Sequence, residues 1–226
     1  MATMRIRYFV TSTGTGVGKT YVAASLIRQA RVSGNNVAAY KPVVSGFENE
    51  SLSETDTGAL IGALGLQPTS TIVERLSPWR YRAALAPSMA ARREGREIDF
   101  GELVAFSRQA AQSEAEIVLI EGVGGVMAPI NDTHTVLDWI EQAGIPLLLV
   151  VGSYLGTISH TLTALEAIGR RSIRVDAIVV NESPVSPVAL EEIVQEIERR
   201  AKTAPVIGMM RESDGHELRR LLNKPY

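Results

Sequence analysis

Apolar residues along this chain fall in short unbroken runs, set between longer segments where they recur every three or four positions. The first run, residues 5–11, carries Ile6, Tyr8, Phe9 and Val10 and reads as a strand. Further strands are expected over 37–40, over 117–120 ending at Glu121, over 146–151, and over 175–180 ending at Asn181. A last one is expected at 205–208, with a weak helix after it. Between them, the helical spacing predicts helices over 19–32, closed by Gly34, and over 158–168. Hydroxyl or acidic starts predict others: from Ser53 and Asp56 to Leu64, from Asp99 and Glu102 to about Ser113, and from Thr135 to Gln142. Pro187, with Ser186 as cap, opens a helix expected to run to about Lys202. Residues 67–86, broken by Pro68 and Pro78 and followed by Pro87, are expected to be irregular.

The strand runs are apolar throughout rather than alternating. Strands of that kind are buried on both faces, as in a parallel sheet covered by helices. The expectation is an α/β fold, a doubly wound and mostly parallel sheet with helices on both faces, in one domain over 1–226. No internal repeat or linker breaks it.

Composition narrows the chemistry. The chain has 226 residues and a net charge of −2. No polyanion-binding surface is implied, so nucleic acid is not an expected partner. With no cysteine, there is neither a disulfide framework nor a thiolate metal site. That fits the cytoplasm. The N-terminus lacks a signal peptide's long apolar stretch, and the apolar runs are too short to span a bilayer, so no membrane partner is expected.

The candidate chemistry sits after the first strand. Thr13-Gly14-Thr15-Gly16-Val17-Gly18-Lys19-Thr20 leaves a strand and opens a helix. Small residues let such a backbone curl so that its N–H groups face a phosphate, and the helix N-terminus adds positive potential. Lys19 can reach the β- and γ-phosphates, and the Thr20 hydroxyl can ligate Mg²⁺. Thr13 stands where the usual pattern has glycine. Glu121 ends a buried strand and precedes Gly122, Gly124 and Gly125, a position suited to Mg²⁺ directly or through water. Asp56 by itself reads as an acid complementing a helix dipole. Lys41 follows the second strand and therefore lies on the ligand-binding edge of the sheet. There it can neutralise phosphate or a carboxylate-like intermediate, or equally be a surface lysine at a strand end; in either case it is expected to be solvated, so that its loss would cost little stability. His134, His160 and His216 lack metal-ligand spacing, Trp79 and Trp139 read as core or interface anchors, and Arg92, Arg93 and Arg96 as a solvated helix face.

Together these residues resemble the dethiobiotin synthetase family. The resemblance rests on Tyr8-Phe9-Val10-Thr11, residues 15–20, Tyr40-Lys41-Pro42-Val43 with Ser45-Gly46, residues 121–125, residues 155–160 and Asn181. It implies a phosphate-loop (P-loop) NTPase-like fold and a homodimer. It also implies ATP- and Mg²⁺-dependent closure of a ureido ring from 7,8-diaminononanoate and CO₂, through a carbamate and a carbamic-phosphoric anhydride. By that resemblance Lys41 and Lys19 are catalytic, and Thr20, Asp56 and Glu121 hold Mg²⁺. Gly16, Val17, Gly18, Lys19, Thr20, Tyr21, Asp56, Glu121, Gly122, Val123, Gly124, Asn181 and Glu182 surround the nucleotide. Thr15, Lys41 and Ser45 meet the diamine or its carbamate. Gly156, Thr157, Ile158 and Ser159 meet its carboxylate from the partner subunit. The chain departs from the family pattern at Ser12, at Gly16 and at Met209-Met210-Arg211-Glu212. Two other readings stay open: a nucleotide switch of the partitioning or positioning type, which usually carries an extra loop lysine absent here, and a small-molecule kinase.

Overall fold

The computed structural model describes residues 5–48, 52–202 and 204–222. In chain order the elements are β1 (Ile6–Ser12), α1 (Lys19–Val32), β2 (Val37–Tyr40), β3 (Val43–Ser45), α2 (Asp56–Leu64), α3 (Ser70–Leu76), β4 (Trp79–Tyr81), α4 (Pro87–Arg93), α5 (Phe100–Ala111), β5 (Ile117–Glu121), α6 (Val136–Ala143), β6 (Leu147–Gly152), α7 (Thr157–Gly169), β7 (Val175–Asn181), α8 (Leu190–Arg200) and β8 (Val206–Met209). Short 3-10 turns cover Leu52–Glu54 and His216–Leu221.

Six strands form one sheet in the order β2-β5-β1-β6-β7-β8, and every described pairing in it is parallel. The unbroken apolar runs follow from that arrangement, because the inner strands bury both sides. Tyr8 and Val10 of β1 join one apolar layer with Leu26 and Ile27 of α1 and Leu60 of α2. Phe9 faces the other, with Trp139 of α6, Leu103 of α5 and Ile197 of α8. The same alternation runs through β5 and β6, where Leu119 and Leu148 join the first layer and Ile120 and Leu149 the second. Trp139 is wholly buried, meets Phe9 edge-on at 4.8 Å and donates its indole N–H to Ser107 Oγ at 2.9 Å. Burying that polar tip with a partner removes its desolvation cost.

Several local expectations needed correction. Residues 67–86 hold α3 and β4, and β4 pairs in parallel with β3 as a separate two-stranded sheet. Pro68 and Pro78 flank α3 and thus bound it instead of breaking it. The cap of α2 is Thr55, whose Oγ1 accepts from Gly58 N at 3.1 Å; Ser53 belongs to the preceding 3-10 turn. Helix α8 starts at Leu190, three residues past Pro187. Ser186 caps nothing there: its hydroxyl is directed to the carbonyls of Ser153 and Val188. Asp99 behaves as its spacing implies and accepts from Glu102 N at 2.8 Å.

Candidate functional site

The site forms where β1, β2 and β5 end side by side. Because β5 lies between β2 and β1, the carboxyl ends of these three strands bring Lys41, Glu121 and the loop after Ser12 to one edge of the sheet. Open α/β sheets bind ligands at that edge. The loop over 13–18 then turns into α1, whose N-cap is Gly18 at φ 90°. Only glycine suits this position. A Cβ there would lie 2.2 Å from Asn181 Nδ2, and the left-handed backbone adds its own strain for other residues. Gly125 is also tightly held, since its Cβ would meet Thr13 O at 2.9 Å. The glycine turn after β5 thus packs directly on the loop.

A cavity of about 950 Å³ opens above these strand ends. Thr13, Gly14, Thr15, Gly16, Gly18, Lys19, Thr20, Lys41, Ser45 and Asp56 form its polar side. Ala84, Leu85, Ala86, Pro87, Val123, Met127 and Ala128 form an apolar wall, with Gly124 and Gly125 between. The wall residues at 84–87 and 127–128 escaped the sequence reading, because apolar residues in loops and at a helix start carry no chemical signature. The hydroxyls of Thr13 and Ser45 are buried with no hydrogen-bond partner.

Lys41 is the largest correction. It is 2% exposed, not solvated, and its ammonium donates to Glu121 Oε1 at 2.7 Å and to the Gly122 carbonyl at 2.7 Å. It also pairs with Asp56 Oδ2 at 3.1 Å. Glu121, 1% exposed, accepts a second hydrogen bond on Oε1 from the Thr20 hydroxyl at 2.7 Å. Its Oε2 is buried without a partner. Burial by itself would lower the Lys41 pKa, but the charges of Glu121 and Asp56 outweigh it and hold the ammonium above the ordinary lysine value. Burial would likewise raise Asp56, yet Lys41 and the neighbouring Thr20 hydroxyl hold its carboxyl below the usual range.

Lys19 is in the opposite position. Burial, then the like charge of Lys41, pulls its pKa from 10.5 down to about 8, against the weaker pull of Glu121 and Asp56. Its ammonium hydrogen-bonds two neutral oxygens, Ser12 Oγ at 3.1 Å and Gly14 O at 3.5 Å. A buried cation without a hydrogen-bonded anion is suited to receive one.

The oxygen donors Thr20, Asp56 and Glu121 suit a hard divalent cation, and the orphaned Oε2 of Glu121 is one oxygen such an ion would satisfy. Other expected residues lie outside the cavity. Asn181 donates from Nδ2 to Val17 O at 3.1 Å and so touches the loop from the end of β7. Glu182 accepts from Arg211 N at 2.8 Å, and the Tyr21 hydroxyl donates to Ser213 O at 2.8 Å. Gly122 lies behind Lys41, which its carbonyl binds, and Val17 is buried in the core. Gly156 and Ser159 are exposed, Ile158 is half-buried, and Thr157 is buried with its hydroxyl spent on Gly152 O at 2.6 Å. None of the four lines the cavity of its own chain.

A glycine-rich loop leading from the central strand of a parallel sheet into a helix, beside a strand-end carboxylate, defines a P-loop nucleotide-binding fold. A family model described as an AAA domain matches residues 6–214. Among solved structures, the signal recognition particle receptor FtsY of Elizabethkingia anophelis superposes with a TM-score of 0.57 over 96% of this chain, which spans 62% of that receptor's length. At 14% identity, that likeness shows the fold alone. The sequence relatives are more specific. The chain is 42% identical to the ATP-dependent dethiobiotin synthetase BioD of Acidiphilium cryptum, over 88% of this chain and 89% of that protein. It is 48% identical to the enzyme of the same name from Caulobacter sp. strain K31, over 79% and 77%. The chain belongs to the ATP-dependent dethiobiotin synthetase family.

Proposed function

We propose that this protein makes dethiobiotin, ADP and phosphate from 7,8-diaminononanoate, CO₂ and ATP. The observation that carries the reading is a single cavity that joins the phosphate loop, Lys41 and Asp56 to an apolar wall of the kind an aliphatic chain would pack on. In this reading one substrate amine captures CO₂ as a carbamate, ATP phosphorylates it, and the second amine displaces phosphate to close the ring. Three anionic groups must then lie together: carbamate, γ-phosphate and the substrate's own carboxylate.

The loop amides and Lys19 receive the phosphates, and Lys41 neutralises the carbamate and the transferring phosphoryl group. Thr15 and Ser45 contact the diamine, and the unpartnered hydroxyl of Ser45 supports that role. Thr20, Asp56 and Glu121 would hold Mg²⁺, which supplies charge neutralisation at the phosphates. Asn181, which ends β7, and Glu182 after it would meet the adenine. The active unit is a homodimer in which residues 156–159 bind the carboxylate in the partner's cavity. The exposure of Gly156 and Ser159 and the start of α7 at Thr157 support this. Residues 1–226 act as one catalytic unit, in the cytoplasm where ATP is available.

Incubation with diaminononanoate, ATP, Mg²⁺ and labelled bicarbonate, followed by mass analysis, tests the proposal. Label in dethiobiotin in proportion to ADP is expected. ADP and phosphate alone would indicate a switch, and a stable phosphorylated product a kinase. Sedimentation showing a fully active monomer would remove the shared-site part.

A further inference from the structure

Ser12 is the last residue of β1 and is completely buried. Its hydroxyl lies 2.6 Å from Gly14 O and 3.0 Å from Gly124 O. It also accepts from Gly14 N at 3.3 Å and from Lys19 Nζ at 3.1 Å. A hydroxyl has one hydrogen and two lone pairs. Two carbonyls compete for the hydrogen, and two N–H donors occupy the lone pairs, so the capacity of Oγ is fully used. One atom therefore ties together the phosphate loop at Gly14, the glycine turn after β5 at Gly124, and the ammonium of Lys19.

The position of Lys19 makes this more than a strand-end hydrogen bond. Ser12 Oγ, at 3.1 Å, is its nearer acceptor, with Gly14 O at 3.5 Å. The stem is largely buried, so its packing limits the rotamers, but the ammonium at its end is fixed by these two hydrogen bonds. Holding it beforehand removes its ordering from the binding step.

We propose that Ser12 is a positioning residue for nucleotide capture: it presets the Lys19 ammonium and the Gly14 peptide in the arrangement that receives the phosphates. This rests on the nucleotide-binding part of the proposed function. Ser12 does not touch the reacting atoms, so its loss acts on affinity more than on the chemical step. A hydrogen bond to a charged group of this kind sets binding by about tenfold or more.

The test is calorimetric titration of the Mg²⁺-saturated protein with ADP, and with ATP in the absence of diamine, for wild type, Ser12→Ala, Lys19→Met and the double variant. Ser12→Gly, which also lacks the hydroxyl, replaces Ser12→Ala if the latter does not fold. Expected is a rise in Kd of about tenfold for Ser12→Ala, with kcat at saturating ATP reduced less than about threefold. Because Ser12 acts through Lys19, the double variant should bind within about twofold of Lys19→Met alone. A purely structural serine would lower the melting temperature without this coupling. An unchanged Kd in Ser12→Ala, or effects of the two substitutions that multiply, overturns the proposal. A wild-type chain that binds no nucleotide overturns the proposed function as well, and is thereby distinguished from failure of the positioning role alone.

Discussion

Replacing Lys41 with methionine removes the only cation hydrogen-bonded to Glu121 among the described residues and keeps nearly the same side-chain volume. All three ammonium hydrogens have acceptors: Glu121 Oε1 at 2.7 Å, Gly122 O at 2.7 Å and Asp56 Oδ2 at 3.1 Å. The lysine is 2% exposed and Glu121 1%, so water cannot readily take the vacated place. Asp56, at 44% exposure, can rehydrate, and its share of the loss is small. Glu121 cannot: it would keep the Thr20 hydroxyl on one oxygen and nothing on the other. Breaking a buried pair from one side costs about 3–5 kcal/mol. In a chain of this length, each kcal/mol moves the midpoint by about 2–4 °C, so a drop of roughly 6–20 °C is expected. The measurement is a thermal melt at pH 7 without nucleotide or divalent ion. Adding Glu121→Gln to Lys41→Met should recover at least about half the loss, because the uncompensated charge is then gone. A Lys41→Met melt within about 2 °C of wild type would refute the buried-pair reasoning.

Activity gives a second readout at the same position. Lys41→Gln can still donate hydrogen bonds to Glu121, so it should lose less stability than Lys41→Met, yet lose ring formation by about a hundredfold or more under saturating substrates. Lys19 carries the opposite sign. Its folded pKa is depressed to about 8, so the charged form costs stability below that pH, and the cost vanishes as pH rises towards 10.5. Lys19→Met should therefore be more stable than wild type at pH 7 in chemical denaturation, by at most about 3 kcal/mol, with the gain shrinking at pH 9 and 10; a gain independent of pH would count against burial as its cause. Nucleotide binding at pH 8 should take up protons, read as a dependence of the calorimetric heat on buffer ionisation enthalpy. Gly18→Ala should cost about 1–3 kcal/mol in chemical denaturation, and Asn181→Ala on top should restore only part of it, since the positive φ remains.

Much of the architecture was legible because both-face burial writes itself as unbroken apolar runs, and these marked all six strands of the main sheet. The phosphate loop was equally plain, since its residue types are dictated by backbone approach. What escaped was non-local or masked. Proline at 68 and 78 hid α3 and β4 by marking boundaries that looked like disruption. Lys41 read as solvated because its partner Glu121 lies 80 residues away, and no local pattern announces a pairing made across β2 and β5. Ser12 drew notice only as a departure from a family pattern, because its hydrogen-bonding role depends on Gly124, 112 residues further on. Residues 156–159 stood out in sequence, yet none of them lines the cavity beside the phosphate loop of their own chain.

The central place of β1 has a consequence for how the protein is made. The strand that carries the phosphate loop leaves the ribosome well before its neighbours β5 and β6, which are more than a hundred residues downstream. At about 5–20 residues per second, the loop waits several seconds or longer for the frame that shapes it. Nucleotide cannot template early folding under these conditions, because neither Glu121 nor the β6 edge yet exists. During synthesis, Tyr8, Phe9 and Val10 must be kept from pairing with other chains until β6 arrives. Ribosome-bound chains halted before β6 should accordingly fail to bind ATP and should be engaged by chaperones, and those released after it should not.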